Sequence, residues 1–292
     1  MLISGSNTAT AEVNDQSICY SIGGTGPAVL LLHGFPQTQA MWHRVAPLLA
    51  QHFTVVTADL RGYGQSSKPQ GTAAYSFRHM ANDQLAMMKS LGHDTFHLIG
   101  HDRGGRVAHR MALDAPEAIK SLTVMDIVPT HLLLDELSKE VAKAYYHWFF
   151  LAQPYPFPET LIGHDPDFYF ESCLTGWGAA TLDDFDPDAL EAYRAAWRDA
   201  DTIRGMCADY RAALQEDFQL DADDLIKTVD VPALVLFGAD GAMAKAYDIP
   251  ATWQNRLTDM QSRGIAGGHF FIDQSPQETA SVLTDFLTAQ VP

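Results

Sequence analysis

The chain has 292 residues, 47% of them hydrophobic, enough for one large α/β domain with an inserted subdomain. Its formal net charge of −17 argues against nucleic acid and anionic membrane surfaces as partners, because both would be repelled. An anionic substrate would therefore need a local cationic site.

The opening stretch, MLISGSNTATAEVND, has no basic start followed by an apolar run, so no signal peptide is expected. The longest apolar runs, around 28–32 and 148–152, are too short to cross a bilayer. Cys19, Cys173 and Cys207 stand far apart without metal or redox spacing, which fits a reduced, cytoplasmic protein.

Strands are expected at 10–13 and 18–22, joined through VNDQS as an antiparallel meander at one sheet edge. The next, AVLLL at 28–32, is apolar throughout, as a strand covered on both faces should be. It leads into LLLHGFP at 30–36. A His-Gly turn there can aim backbone N–H groups at a reaction centre, and Phe35 N–H paired with Arg103 N–H would form an oxyanion hole. A helix over 41–50 and the strand TVVTA at 54–58 follow, then ADLRGYGQS at 58–66. That turn reads as a wall, with Asp59 and Arg61 structural.

After a helix over 76–91 and a strand at 96–99 comes LIGHDRGGR, residues 98–106. An aspartate at a strand-to-helix turn is by itself an ordinary N-cap. Here glycines flank Asp102, as in the sharp elbow that lifts a nucleophile above a parallel sheet. A helix over 105–113 and a strand at 122–125 lead to Asp126 in VMDIVPT.

Residues 130–229 contain no convincing strand. They hold aromatic-rich helical stretches (AYYHWFFLA, ALEAYRAAWRDA, GMCADYRAALQEDF) and the Pro-rich joint QPYPFPE. We read 130–229 as a helical cap inserted between two parts of a core, 1–129 and 230–292. A cap over the C-terminal edge of a parallel sheet is where an open α/β fold binds its ligand. Strands resume at 233–237 and 261–264, with Asp240 after the first of these. His269, in AGGHFFIDQSP, precedes a final helix over 278–288.

The expected fold is thus a doubly wound, mostly parallel eight-stranded sheet with right-handed crossovers. Asp102 and then His269 follow the nucleophile–acid–base chain order, which makes His269 a general base. The acid that orients it is Asp126 or Asp240; both end core strands, and chain order does not choose. The twelve histidines form no ligand set, and His97 and His101 lie on a strand and its turn, so no metal is assigned.

The sheet, elbow and late histidine resemble the α/β-hydrolase fold over nearly the whole chain. HGFPQT, GHDRGGR, MDIVPT, YHWFFLAQP and ADYRA together resemble the haloacetate (fluoroacetate) dehalogenases. The resemblance implies Asp126 as the acid and His147, Trp148 and Tyr210 as a halide pocket, positions that otherwise read as aromatic packing. It also implies a homodimer. Tyr145, Tyr146 and Trp177 read as packing residues.

The elbow aspartate has its own chemical logic. A serine displacing halide from a saturated carbon would leave a stable ether, whereas a carboxylate leaves an ester that activated water can cleave. Arg103 and Arg106, three apart at a helix start, can clamp a carboxylate with their planar forks. Two cations where the helix dipole is already positive favour an anionic ligand there. The expected reaction is hydrolytic dehalogenation of a small anionic 2-haloacid, without a cofactor. The alternatives are epoxide hydrolysis, with Tyr146 and Tyr210 protonating the ring oxygen, and a hydrolase-like receptor that binds without turnover.

Overall fold

A computed structural model describes residues 7–177 and 179–291, so the first six residues of the opening stretch lie outside the described residues. Eight strands form one sheet: β1 (Asn7–Val13), β2 (Gln16–Gly23), β3 (Ala28–Leu32), β4 (Thr54–Ala58), β5 (Phe96–His101), β6 (Ile119–Met125), β7 (Ala233–Gly238) and β8 (Met260–Ile265). Their order is β1-β2-β4-β3-β5-β6-β7-β8. β1 and β2 pair antiparallel, β2 meets β4 antiparallel, and every later pairing is parallel. The expected eight-stranded, mostly parallel sheet is present.

The strand chemistry explains the layering. All of β3 and β5 is buried, as central parallel strands must be when helices cover both faces. β8, at one edge, carries exposed Gln261, Ser262, Arg263 and Gly264. Asn14 and Asp15 form the two-residue β1–β2 turn with φ of 50° and 58°, the left-handed pair a tight hairpin requires.

The covering helices include α1 (Ala46–Leu49), α2 (Phe77–Ser90) and α3 (Arg103–Asp114). The helix expected over 41–50 is instead a 3-10 segment, Gln39–Arg44, followed by the short α1. Pro47 explains the break, because it has no N–H to continue the ladder and suits only a first turn.

Between β6 and β7 come α4 (Thr130–Asp135), α5 (Lys139–Ala144), α6 (Tyr146–Leu151), α7 (Phe157–His164), α8 (Pro166–Gly176), α9 (Pro187–Trp197), α10 (Ala200–Ala212), a π-helical turn Ala213–Asp217, and α11 (Phe218–Asp223). No strand lies among the described residues of this stretch. Asp165 and Asp186 cap α8 and α9, each followed by proline at the first helical position, the preferred pair for starting a helix. The chain closes with α12 (Ala242–Ala246), α13 (Ile249–Trp253), α14 (Phe271–Gln274) and α15 (Pro276–Ala289).

At one point the helical layer meets the core backbone to backbone. A Cβ built on Gly205 of α10 would lie 2.8 Å from Gly62 Cα. Gly62, in the turn after β4, has φ +87°, a conformation natural to glycine. Backbone rests on backbone here, and the next turn of α10 carries Asp209 and Tyr210 to the sheet's C-terminal edge.

Candidate active site

Asp102 occupies the turn between β5 and α3 with φ 48° and ψ −116°. A positive φ costs a non-glycine residue about 1–3 kcal/mol and persists only where surroundings enforce it. They do so by crowding: a Cβ on Gly100 would lie 2.2 Å from Gly104 O, and one on Gly104 would lie 2.4 Å from His33 O. Asp102 N–H donates to Met125 O at 3.1 Å, and Gly104 N–H to His33 O at 2.9 Å. The elbow is thereby pinned to both neighbouring strands.

Phe35 N–H donates to Asp102 Oδ1 at 2.9 Å, as the His-Gly turn was expected to allow. Arg103 N–H is the first amide of α3. His33 is structural: Nδ1–H donates to Gly34 O at 3.0 Å, and Nε2 accepts from Leu60 N–H at 3.0 Å. The motif histidine thus locks the turn to ADLRGYG. In that wall Asp59 accepts from Gln39 and Gln65 N–H, while Arg61 pairs with Asp83.

His269 reaches the elbow from the loop after β8. Its Nδ1–H donates to Asp126 Oδ2 at 2.6 Å, and Asp126 Oδ1 accepts from Gly238 N–H at 2.9 Å. Asp126 itself has φ 51°. Asp240 is exposed and accepts from Gly267 N–H at 3.2 Å. Of the two candidate acids, Asp126 is therefore the one touching the histidine. His269 Nε2 lies 3.8 Å from Asp102 Oδ2 and has no protein partner. That separation is too long for a direct hydrogen bond.

The charges are biased consistently. Burial disfavours the Asp102 carboxylate, but His269, His101, Arg103 and Phe35 N–H outweigh it and hold the carboxyl at about 2. Burial also opposes the imidazolium of His269, yet the Asp126 hydrogen bond and charge, with that of Asp102, raise it above its ordinary value. His101 Nε2–H donates to His269 O at 2.9 Å; burial pushes His101 down to about 4. Sequence reading set His101 aside with the unassigned histidines. It is the elbow's tie to the His269 loop.

Both arginines are buried, but they are committed differently from two free forks. Arg103 Nε–H donates to Asp209 Oδ2 at 2.9 Å, and Nη2 donates to Asp209 Oδ1 and, at 3.1 Å, to Asp209 O. Only Arg103 Nη1 remains buried without a partner. Arg106 Nη1 donates to Val128 O and Thr130 Oγ1 at 3.0 and 3.1 Å, while its Nε is unpartnered. Their Cζ atoms lie 4.8 and 4.9 Å from the Trp148 ring centroid, within cation–π range.

Around this pair stand the aromatic candidates. Trp148 Nε1, Tyr210 Oη and His147 Nδ1 are each buried without a partner. Trp148 and Tyr210 meet edge to face at 5.2 Å, His147 and Tyr210 at 5.5 Å, and Phe35 stacks on His147 at 5.7 Å. Burial holds His147 well below its usual range and Tyr210 well above. Both stay neutral, the histidine with one ring N–H and the tyrosine with its O–H to donate.

Tyr145, Tyr146 and Trp177, read as packing residues, take up different places. Trp177, read as packing, lies 4.3 Å from His147 and edge-on to His269 at 5.2 Å. It walls the site. Tyr145 Oη is buried and unpartnered, in the field of Asp126, Asp102 and Arg106; its signal in the sequence was its place in the run YYHW, two positions before His147. Tyr146 is 45% exposed, so it does not join Tyr210 as a second buried phenol.

Among the described residues, no group of three or more His, Cys, Asp or Glu is placed to hold a metal, and no helix is long and apolar enough to cross a membrane.

Comparisons with known proteins bear on the family and the fold. A family model of the α/β hydrolase fold matches residues 27–276. A fluoroacetate dehalogenase from Burkholderia sp is 52% identical, covering 98% of this chain and 95% of its own. The soluble epoxide hydrolase of Corynebacterium sp. (strain C12) is 30% identical, covering 91% and 92%. The crystal structure of ALR0039 from Nostoc sp PCC 7120 superposes with a TM-score of 0.96 at 43% identity, covering 99% of each chain.

Proposed function

Because the chain belongs to the α/β-hydrolase family, we propose that it is a haloacid dehalogenase, converting fluoroacetate-like substrates to the hydroxy acid. The single observation that carries this reading is a buried, ionised carboxylate at the elbow, Asp102, facing the His269–Asp126 pair beside two buried guanidinium groups with unpartnered donors. The 52% identical fluoroacetate dehalogenase supports it.

In this reading the substrate carboxylate takes Arg103 Nη1–H and the free donor of Arg106. Asp102 Oδ2 displaces halide from the adjacent carbon, and the carbon–halogen electron pair leaves with the halide. His147, Trp148 and Tyr210 donate to that anion; fluoride needs such donors most, since its bond to carbon is strong and its ion is tightly hydrated. Asp102 Oδ1, already on Phe35 N–H, becomes the ester carbonyl oxygen. His269 Nε2 then takes a proton from water as its oxygen adds to Asp102 Cγ, and Phe35 and Arg103 N–H hold the oxyanion. Collapse expels the hydroxy acid, which receives the proton from His269. The net change is haloacid plus water to hydroxy acid, halide and a proton.

The helices of 130–229 act as the cap closing this site, with 1–129 and 230–292 as its core. We also infer a cytoplasmic homodimer. Its three cysteines are free and buried, and Tyr155, Phe157, Leu161 and Phe168 expose large apolar faces around α7 and α8, suited to a subunit interface.

One turnover in heavy-oxygen water tests the chemistry. Label should enter Asp102 and be absent from the first hydroxy acid released; label appearing directly in that product would overturn the ester route. Epoxide hydrolysis is less favoured, because Tyr146 is half-exposed and two buried arginines would have no anion to meet. Diol release from styrene oxide, measured beside fluoride release from fluoroacetate, separates the two.

A further inference from the structure

Arg103 and Asp209 are both fully buried, and Asp209 Oδ2 accepts a second hydrogen bond, from Tyr63 O–H at 2.6 Å. Tyr63 is itself buried in the turn that follows β4. The carboxylate therefore takes the guanidinium's Nε–H and Nη2–H face as a fork, while the Asp209 carbonyl takes Nη2 as well. What remains is the unpartnered Nη1 amino group, with its two N–H donors. Arg106 has no such forked partner: its hydrogen bonds go to the neutral Val128 O and Thr130 Oγ1, and the charge that most favours its cation is that of Asp102.

We propose that Asp209, steadied by Tyr63, is a specificity-determining positioning residue: it occupies the fork of Arg103 and cancels its charge, so a substrate carboxylate meets one guanidinium without a salt-bridged fork, Arg106, plus the Nη1 amino group of Arg103. This rests on the reading in which the two arginines receive a carboxylate. The physical consequence concerns release. Substrate and hydroxy-acid product carry the same carboxylate, so any excess charge would hold both equally and slow departure without lowering the chemical barrier. Because Asp209 and Tyr210 are neighbours on α10, one helical turn supplies both the counter-ion and a halide donor.

The test is a titration, independent of turnover, with glycolate and its neutral isostere glycolamide. Asp209→Asn keeps an amide oxygen and the backbone carbonyl for Arg103 and uncovers one charge. Glycolate affinity should tighten about tenfold, or roughly 1.4 kcal/mol, while glycolamide affinity stays put. An equal shift for both ligands, or weaker glycolate binding, would overturn the proposal.

Removing one partner of a buried pair can unfold a protein, so a double variant, Arg103→Gln with Asp209→Asn, provides a second measurement. If the pair is electrically silent, glycolate binding falls about ten- to a hundredfold, the worth of one lost hydrogen bond to a carboxylate. A loss above about a hundredfold would show that Arg103 acts as a full cation. Glycolate failing to bind the parent protein would overturn this proposal together with the carboxylate reading. Absent halide release with intact glycolate discrimination would instead fault the dehalogenase reading alone.

Discussion

Asp126 Oδ2 lies 2.6 Å from His269 Nδ1, although 143 positions separate the two residues. Each sits in the turn that ends a strand, β6 and β8, and β7 lies between those strands in the sheet. The Gly238 N–H at the end of β7 binds the other carboxylate oxygen. The His269 ring is therefore oriented by three strand ends at once.

Asp102→Asn should lower halide release by a factor on the order of 10⁴ or more, because an amide is a poor nucleophile toward saturated carbon. Asn is nearly isosteric and can still accept from Phe35 N–H, so thermal unfolding should change little. A halide electrode and a melting curve check both halves; unchanged halide release would remove the proposed nucleophile.

His269→Asn should allow the first step and stop the second. Intact-protein mass spectrometry after exposure to chloroacetate should show one added carboxymethyl group, and peptide mapping should place it on Asp102. Unmodified protein after long exposure would count against His269 as the base for ester hydrolysis.

The pH dependence should differ between the two steps. Asp102, held at about 2, stays ionised down to mildly acidic solution, so alkylation should persist there. His269 acts only when neutral, and its value lies above 6.5; ester hydrolysis should thus fall as pH drops through that raised value. Quenched-flow at about pH 5 should give a halide burst near one equivalent with little hydroxy acid. Loss of the burst and of steady-state turnover at the same pH would contradict the assignment.

Tyr210→Phe removes one of the three buried donors near the proposed halide site. Fluoroacetate turnover should drop about 10- to 100-fold, and bromoacetate turnover by less, since bromide departs with weaker hydrogen bonds. The ratio of kcat/KM values for the two substrates is the readout. A uniform decrease would mean that Tyr210 serves packing alone.

Much of this organisation was legible in the chain. Period and composition marked the sheet: AVLLL and TVVTA became buried β3 and β4, and VNDQS became the hairpin turn. Glycines around residue 102 announced the elbow because only they tolerate carbonyls at such short range. What stayed hidden depended on long-range contact. Chain order left Asp126 and Asp240 open and only the family resemblance implied Asp126; the physical reason is the course of the His269 loop. The loss of Arg103's fork required Asp209, 106 positions away. Trp177 belongs to no motif, so nothing short of its packing on His147 and His269 could reveal it.

The Gly62–Gly205 contact has an architectural consequence. Where two main chains already touch, the roof can sink no lower, and any side chain inserted there would lift it like a wedge. If 130–229 closes over Asp102 as proposed, the room there is limited at this point by peptide geometry as well as by the bulk of the aromatic rings lining it. Those rings can be exchanged to suit a larger or smaller leaving group while the ceiling stays where it is; Gly205→Ala would raise the ceiling and leave every ring unchanged.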